Sequence, residues 1–133
     1  MSNRIMLPGL EEKIKEKIIN ASLFVMPSLY EGISNALIEA LALGVPTIAT
    51  DSSGGGSRSL ITSDLNGKLI ETNNHEALVN AIESMLLDPE KSEKMGQKAR
   101  EISLKLDSET IYGKWEEFII EVGGNNENKN NII

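Results

Sequence analysis

The chain has 133 residues, 40% hydrophobic and 25% charged, with a formal net charge of -7 and no cysteine. That is one ordinary domain or a piece of one, able to bury roughly two thirds of its unfolded surface in a single core. The acidic balance argues against binding to a phosphate backbone, the lack of cysteine excludes disulfides and thiolate metal sites, and no apolar run approaches the ~20 residues of a membrane helix.

The N-terminal stretch MSNRIMLPGLEEK lacks the basic-then-apolar profile of a signal peptide, so the expected location is the cytoplasm. Arg4 to Leu7 read as a possible strand end, closed by Pro8 and Gly9. Glu11 to Asn20 place Ile14, Ile18 and Ile19 on one stripe and predict an amphipathic helix. SLFVMP, Ser22 to Pro27, is an unbroken apolar run of the kind found in strands covered on both faces by helices. After the loop PSLYEG a helix is predicted from about Ser34 to Leu43, ended by Gly44 in the left-handed conformation and not extendable by Pro46.

PTIAT is the next buried strand, SSGGGS reads as a flexible loop, SLIT as a helical turn, and NGKLIE as a turn and a strand. Asn73 with Glu76 predicts a capping box for a helix through Leu87, with Leu78, Ala81, Ile82, Met85 and Leu86 on its apolar stripe. Two helices are expected beyond Pro89, from about Glu90 to Leu106 and from Ser108 to about Val122. The second carries Ile111, Trp115, Phe118 and Ile119, a stripe expected to pack in the core or between domains. Residues 123–133 form a polar tail expected to be disordered, leaving 1–122 as the domain. Buried strands alternating with helices predict an α/β fold, a parallel sheet flanked by helices and followed by C-terminal helices. In such sheets ligands lie beyond the carboxyl ends of the strands, where PSLYEGISN falls.

The chemistry of EGISNALIEALALG follows from that position. The first amides of the helix, from about Ile33 through Ser34 and Asn35 to Ala36, have no partner within it, and the positive end of its dipole lies behind them. They suit a phosphate or diphosphate, with Gly32 allowing close approach; the alternative is that Ser34 or Asn35 simply caps the helix. Glu39 stands roughly 8 Å further along the axis at 1.5 Å per residue, about the span from a diphosphate to a ribose. An ionised carboxylate among alanines and leucines needs donors, which ribose hydroxyls would supply; a salt bridge or exposure of that face is the alternative. Glu31, before the helix, can accept from sugar hydroxyls or merely complement the dipole. His75 is the only histidine, and with no cysteine or tight acidic cluster near it a solvated position is expected and no metal site.

The order PSLYEGISNALIEALALGVPTIATDSSGGG, then NGKLI, resembles the donor-binding C-terminal domain of retaining, group 1 glycosyltransferases of the GT-B fold, which use nucleotide-sugar donors. The resemblance covers roughly Arg4 to Leu87. It implies a Rossmann-like domain in which Glu31, as the catalytic candidate, contacts the donor sugar, the Gly32–Ala36 backbone holds the diphosphate, and Glu39 holds the ribose. No cofactor and no metal are implied, the nucleotide-sugar being a substrate. One departure is visible: SRSLI, Ser57 to Ile61, stands where the family often has an acidic residue.

The family also has an N-terminal acceptor domain and an Arg and a Lys on the diphosphate, which Arg4 and Lys13 do not match in context. The chain therefore reads as a partial donor domain, inactive alone, from an enzyme of polysaccharide or glycoconjugate synthesis whose full-length form is cytoplasmic or peripheral to the membrane. Its expected partners are the donor, an unidentified acceptor, the missing acceptor domain, and a second copy through an exposed sheet edge; nucleic acid is not among them. Two other readings stay open: a non-catalytic nucleotide-sugar-binding or regulatory module, and a fragment of a GT-B epimerase.

Overall fold

The computed structural model describes residues 5–127. In chain order the elements are α1 (Ile14–Ile19), β1 (Phe24–Met26), α2 (Asn35–Leu43), β2 (Thr47–Thr50), α3 (Gly56–Leu60), β3 (Lys68–Ile70), α4 (His75–Leu87), α5 (Pro89–Ala99), α6 (Glu101–Lys105) and α7 (Ser108–Glu127). They form two compact units, residues 1–100 and residues 101–133.

The first unit is an α/β layer structure on a parallel sheet in the order β1-β2-β3. Val25 is opposite Ile48, and Ala49 opposite Leu69. Central strand β2 is buried at every position, as an apolar run covered on both faces must be. On one side Ile48 and Ile70 pack with Ala81 and Met85 of α4 and Met95 of α5, and with Leu23 and Val25 at the edge. On the other, Ile18 of α1 and Ala40 of α2 pack with Val45 and with Phe24 of β1. Neighbouring residues Phe24 and Val25 thus serve opposite faces, the period-two rule of a strand.

Helix α2 ends where it was expected to, at Gly44, with φ 76° and its amide bonded to the carbonyls of Ala40 and Leu41. The Arg100 side chain donates from Nε (3.2 Å) and Nη2 (3.1 Å) to the Leu43 carbonyl, occupying another free acceptor of that helix end. A Cβ on Gly96 would run into the carbonyl oxygen of Gly44, so α5 approaches the end of α2 at a distance only glycine permits.

Several expectations are corrected. Ile5, Met6 and Leu7 form no strand and are 71%, 81% and 92% exposed, because among the described residues no strand lies beside them to satisfy their backbone or cover their side chains; Arg4 lies outside the described residues. The cap of α4 is Asn74, whose side chain accepts from Ala77 N at 2.9 Å, while Asn73 takes φ 60° in the turn before it, so no capping box forms from Asn73. Helix α3 begins at Gly56, inside the glycine run read as flexible loop. The single helix expected to Leu106 is divided at Arg100 into α5 and α6. In the second unit Trp115, Phe118 and Ile119 are 59%, 55% and 63% exposed, so the stripe is no core; Trp115 and Phe118 meet edge to face with centroids 6.0 Å apart. Helix α7 continues past Val122 to Glu127, and residues 128–133 lie outside the described residues.

Leu41 has no exposed surface, whereas Leu86 on α4 is 52% exposed. Leu41→Ala should therefore cost about 2–5 kcal/mol in urea denaturation, and Leu86→Ala within about 0.5 kcal/mol of nothing.

Candidate functional site

Three loops emerge at the carboxyl ends of the parallel strands, and the first two make one surface. After β1 the chain runs through Ser28 and Glu31 to Ser34, whose extended backbone (φ -86°, ψ 123°) and side chain, accepting from Leu37 N at 3.5 Å, make it the cap of α2. The capping alternative is thus correct for Ser34, yet it engages one amide only. Asn35 and Ala36 open the helix, and with Gly32 and Ile33 they are exposed, so this corner of backbone is open to a ligand.

Glu31 is half-buried; its carboxylate accepts from Ser28 Oγ at 3.5 Å and its main-chain carbonyl from Ser52 Oγ at 3.3 Å. Glu39 is half-buried one turn into α2, between the fully buried Leu37 and Ala40. Among the described residues its carboxylate has no ion-pair or hydrogen-bond partner, so the salt-bridge alternative fails. A half-buried carboxylate with free acceptor sites suits a hydroxyl-bearing ligand, since lone pairs left without donors cost free energy.

The second loop is what the sequence reading missed. Gly55 takes φ 72°, and its neighbours lie flat on the first loop: a Cβ on Gly54 would run into the carbonyl oxygen of Glu31, and one on Gly56 into that of Gly32. No other residue type lets two backbones meet this closely. The signal was present as three successive glycines, but nothing in the sequence says against what they pack. Arg58 closes the loop at its base, donating from Nε (2.9 Å) and Nη2 (2.7 Å) to the two carboxylate oxygens of Asp51. Hydrogen bonding to Asp51 raises the Arg58 pKa above its ordinary value. The SRSLI departure thus carries a structural ion pair. Ser57 Oγ is buried with no hydrogen-bond partner, the one such side-chain atom among the described residues.

The model of the family "Glycosyl transferases group 1" matches residues 2–102. The chain belongs to the group 1 glycosyltransferases. An uncharacterized glycosyltransferase of Haemophilus influenzae is 33% identical over 96 residues, 72% of this chain and 27% of the relative. The Escherichia coli UDP-Gal:alpha-D-GlcNAc-diphosphoundecaprenol alpha-1,3-galactosyltransferase is 32% identical over 82 residues, 62% of this chain and 21% of that one. Among solved structures, Anabaena Alr3699/HepE in complex with UDP superposes with a TM-score of 0.81 at 24% identity, covering 90% of this chain and 33% of that chain. The fold is therefore the Rossmann-like one of a group 1 C-terminal domain, and the chain spans about a quarter of the length of the curated relatives it matches.

In this group 1 domain the remaining candidates fall outside the surface just described. Lys13 pairs with Glu16 at 3.6 Å on α1, and Arg4 lies outside the described residues. His75 is exposed at the start of α4, and among the described residues no group of three His, Cys, Asp or Glu side chains could hold a metal.

Two substitutions test the loop contact by unfolding. Gly56→Ala should destabilise by about 1–3 kcal/mol, because the methyl must displace the Gly32 carbonyl. Ser57→Ala should be neutral or stabilising by up to about 1 kcal/mol, because it removes a buried hydroxyl that bonds nothing.

Proposed function

We propose that this chain supplies the donor side of a glycosyltransferase that moves a sugar from a nucleotide-sugar to an acceptor in polysaccharide or glycoconjugate synthesis. The observation that carries the reading is Glu39, half-buried on α2 without a partner among the described residues, on the same short helix whose amino-terminal backbone is open. Diphosphate oxygens would accept from the Gly32–Ala36 amides, backed by the helix dipole. Ribose hydroxyls would donate to Glu39, and Glu31, preceding those amides, would take the hydroxyls of the sugar. The reaction would retain configuration at the sugar, and Glu31 is the residue of this chain nearest the reacting end. No metal is needed to hold the diphosphate in this scheme.

Helix amides alone balance only part of a diphosphate's charge, and Arg58 pairs with Asp51. In this scheme further cationic groups and the acceptor site come from other parts of a longer enzyme. The relatives' greater length is consistent with that division, and we place the assembled enzyme in the cytoplasm or at the membrane face. Among the described residues no helix is long and apolar enough to cross a membrane. The galactosyltransferase relative acts on a diphosphoundecaprenol-linked sugar, which supports a lipid-linked acceptor class here.

Calorimetric titration with UDP, UDP-glucose, GDP and GDP-mannose tests the site. Glu39→Ala should weaken every nucleotide that binds by about tenfold or more, the loss of hydrogen bonds to a charged group being about 1.5–3 kcal/mol. Glu31→Ala should weaken only the sugar conjugates. Unchanged affinity in both variants rejects the site. The purified chain should transfer no sugar, and detectable transfer would overturn the division between donor and acceptor parts.

Strand β1 pairs with β2 alone among the described residues, so one row of its backbone groups is open. We propose that another strand covers it, either from the rest of the enzyme or from a second copy. Sedimentation at micromolar concentration should give a dimer mass for the isolated chain; a monomer at all concentrations excludes the second copy.

A further inference from the structure

The donor reading leaves open what holds the Glu31 carboxylate in place, for it stands in an eight-residue connection between β1 and α2 with no secondary structure of its own. Two buried hydroxyls answer this, one at the end of the neighbouring strand and one in the loop after it. Thr50, the last residue of β2, is 4% exposed, and its Oγ1 proton lies between the carbonyl oxygens of Met26 (3.4 Å) and Ser28. Ser52, two residues on, is 1% exposed and donates to the carbonyl of Glu31 at 3.3 Å. Ser28 then donates through its own Oγ to Glu31 Oε2 at 3.5 Å.

We infer that Thr50 and Ser52 are positioning residues for the sugar end of the site, pinning the Ser28–Glu31 loop at both ends and so fixing where the Glu31 carboxylate stands. This rests on the donor-site reading for its function but not for its geometry. Spacing makes the device work. Thr50 closes β2 and Ser52 follows two residues later, so one short segment reaches the Ser28 and Glu31 carbonyls at the two ends of the loop. Gly54 and Gly56 press on the same loop from the next residues of that segment, at the carbonyls of Glu31 and Gly32. Helix α2 is fixed separately, by the Ser34 cap and its buried face of Leu37, Ala40 and Leu41. The two hydroxyls therefore govern the Glu31 end, and the Glu39 end is independent of them.

The test uses the whole chain with Thr50→Val, which keeps the shape and removes the hydroxyl, Thr50→Ser, which keeps the hydroxyl, and Ser52→Ala. Titration with UDP and UDP-glucose, or GDP and GDP-mannose where that pair binds, should show at least a fivefold loss for the sugar conjugate in Thr50→Val and Ser52→Ala. The free nucleotide should lose clearly less than its conjugate, since most of the amides assigned to the diphosphate belong to the separately fixed start of α2, and Thr50→Ser should recover most of the sugar-dependent affinity. Equal losses for nucleotide and conjugate, or no loss, overturn the inference.

Should wild type bind none of the four ligands, the donor reading fails while the positioning claim is still decided by NMR relaxation. Amide order parameters at Glu31, Gly32 and Ile33 should fall from about 0.85 to below about 0.6 in Thr50→Val but not in Thr50→Ser, with Ile38–Leu43 unchanged. Unaltered order parameters at Glu31–Ile33, or a fall spread equally through α2, overturn it.

Discussion

Everything at the functional edge depends on one contact between backbones. The carbonyl oxygens of Glu31 and Gly32 occupy the space that side chains at positions 54 and 56 would fill. The loop after β1 is therefore held by the loop after β2 rather than by its own sequence, and parallel pairing of the two strands brings them side by side at the same end of the sheet. A connection of this kind carries no ladder of its own, so its conformation has to be imposed from outside. Glycines provide the closeness, and the hydroxyls of Thr50 and Ser52 provide direction.

How much of this was legible in the sequence divides along a physical line. Elements that follow from local periodicity were legible: SLFVMP and PTIAT as parallel strands, though only the second is buried throughout and β1 is a half-buried edge, α2 with its glycine stop, and α4 with Ala81 and Met85 inward. Elements needing a partner distant in sequence were not. The stretch at Ile5–Leu7 has the composition of a strand and no strand to pair with, and composition cannot report a missing neighbour. For α7 the spacing of Trp115, Phe118 and Ile119 gave the helix correctly but not its burial, because an apolar stripe specifies that a surface seeks cover without specifying what covers it. The Asn73 capping box failed on a single residue, since Asn tolerates the left-handed conformation and the chain used it there, passing the cap to Asn74.

At the site the same division recurs. The placement of the two glutamates and the helix amides at the strand ends was legible because their frame, PSLYEGISNALIEALALG, is continuous in the chain. Thr50 and Ser52 act over more than twenty residues of separation, and a buried threonine at a strand end is indistinguishable in sequence from one that only fills space. Asp51 and Arg58 illustrate the converse. The SRSLI segment looked like a lost family residue, and the fold shows a cation in that segment tied back to the strand end, with both carboxylate oxygens engaged.

The pairing of Arg58 with Asp51 bears on how charge would be shared under the donor reading proposed above. On that reading the acidic chain, with its net -7, would present two half-buried carboxylates and a set of backbone dipoles to a doubly charged ligand. Dipoles at one helix end amount to about half an elementary charge, so they can orient a diphosphate but cannot neutralise it. A donor domain built this way would gain affinity steeply from a positively charged neighbour closing over the ligand, because the cation would then act across a site shielded from water, where charge interactions are several times stronger. A strand docked beside β1 would lie next to the strand end from which the Glu31 loop leaves, and would be placed to bring such cations to the phosphates.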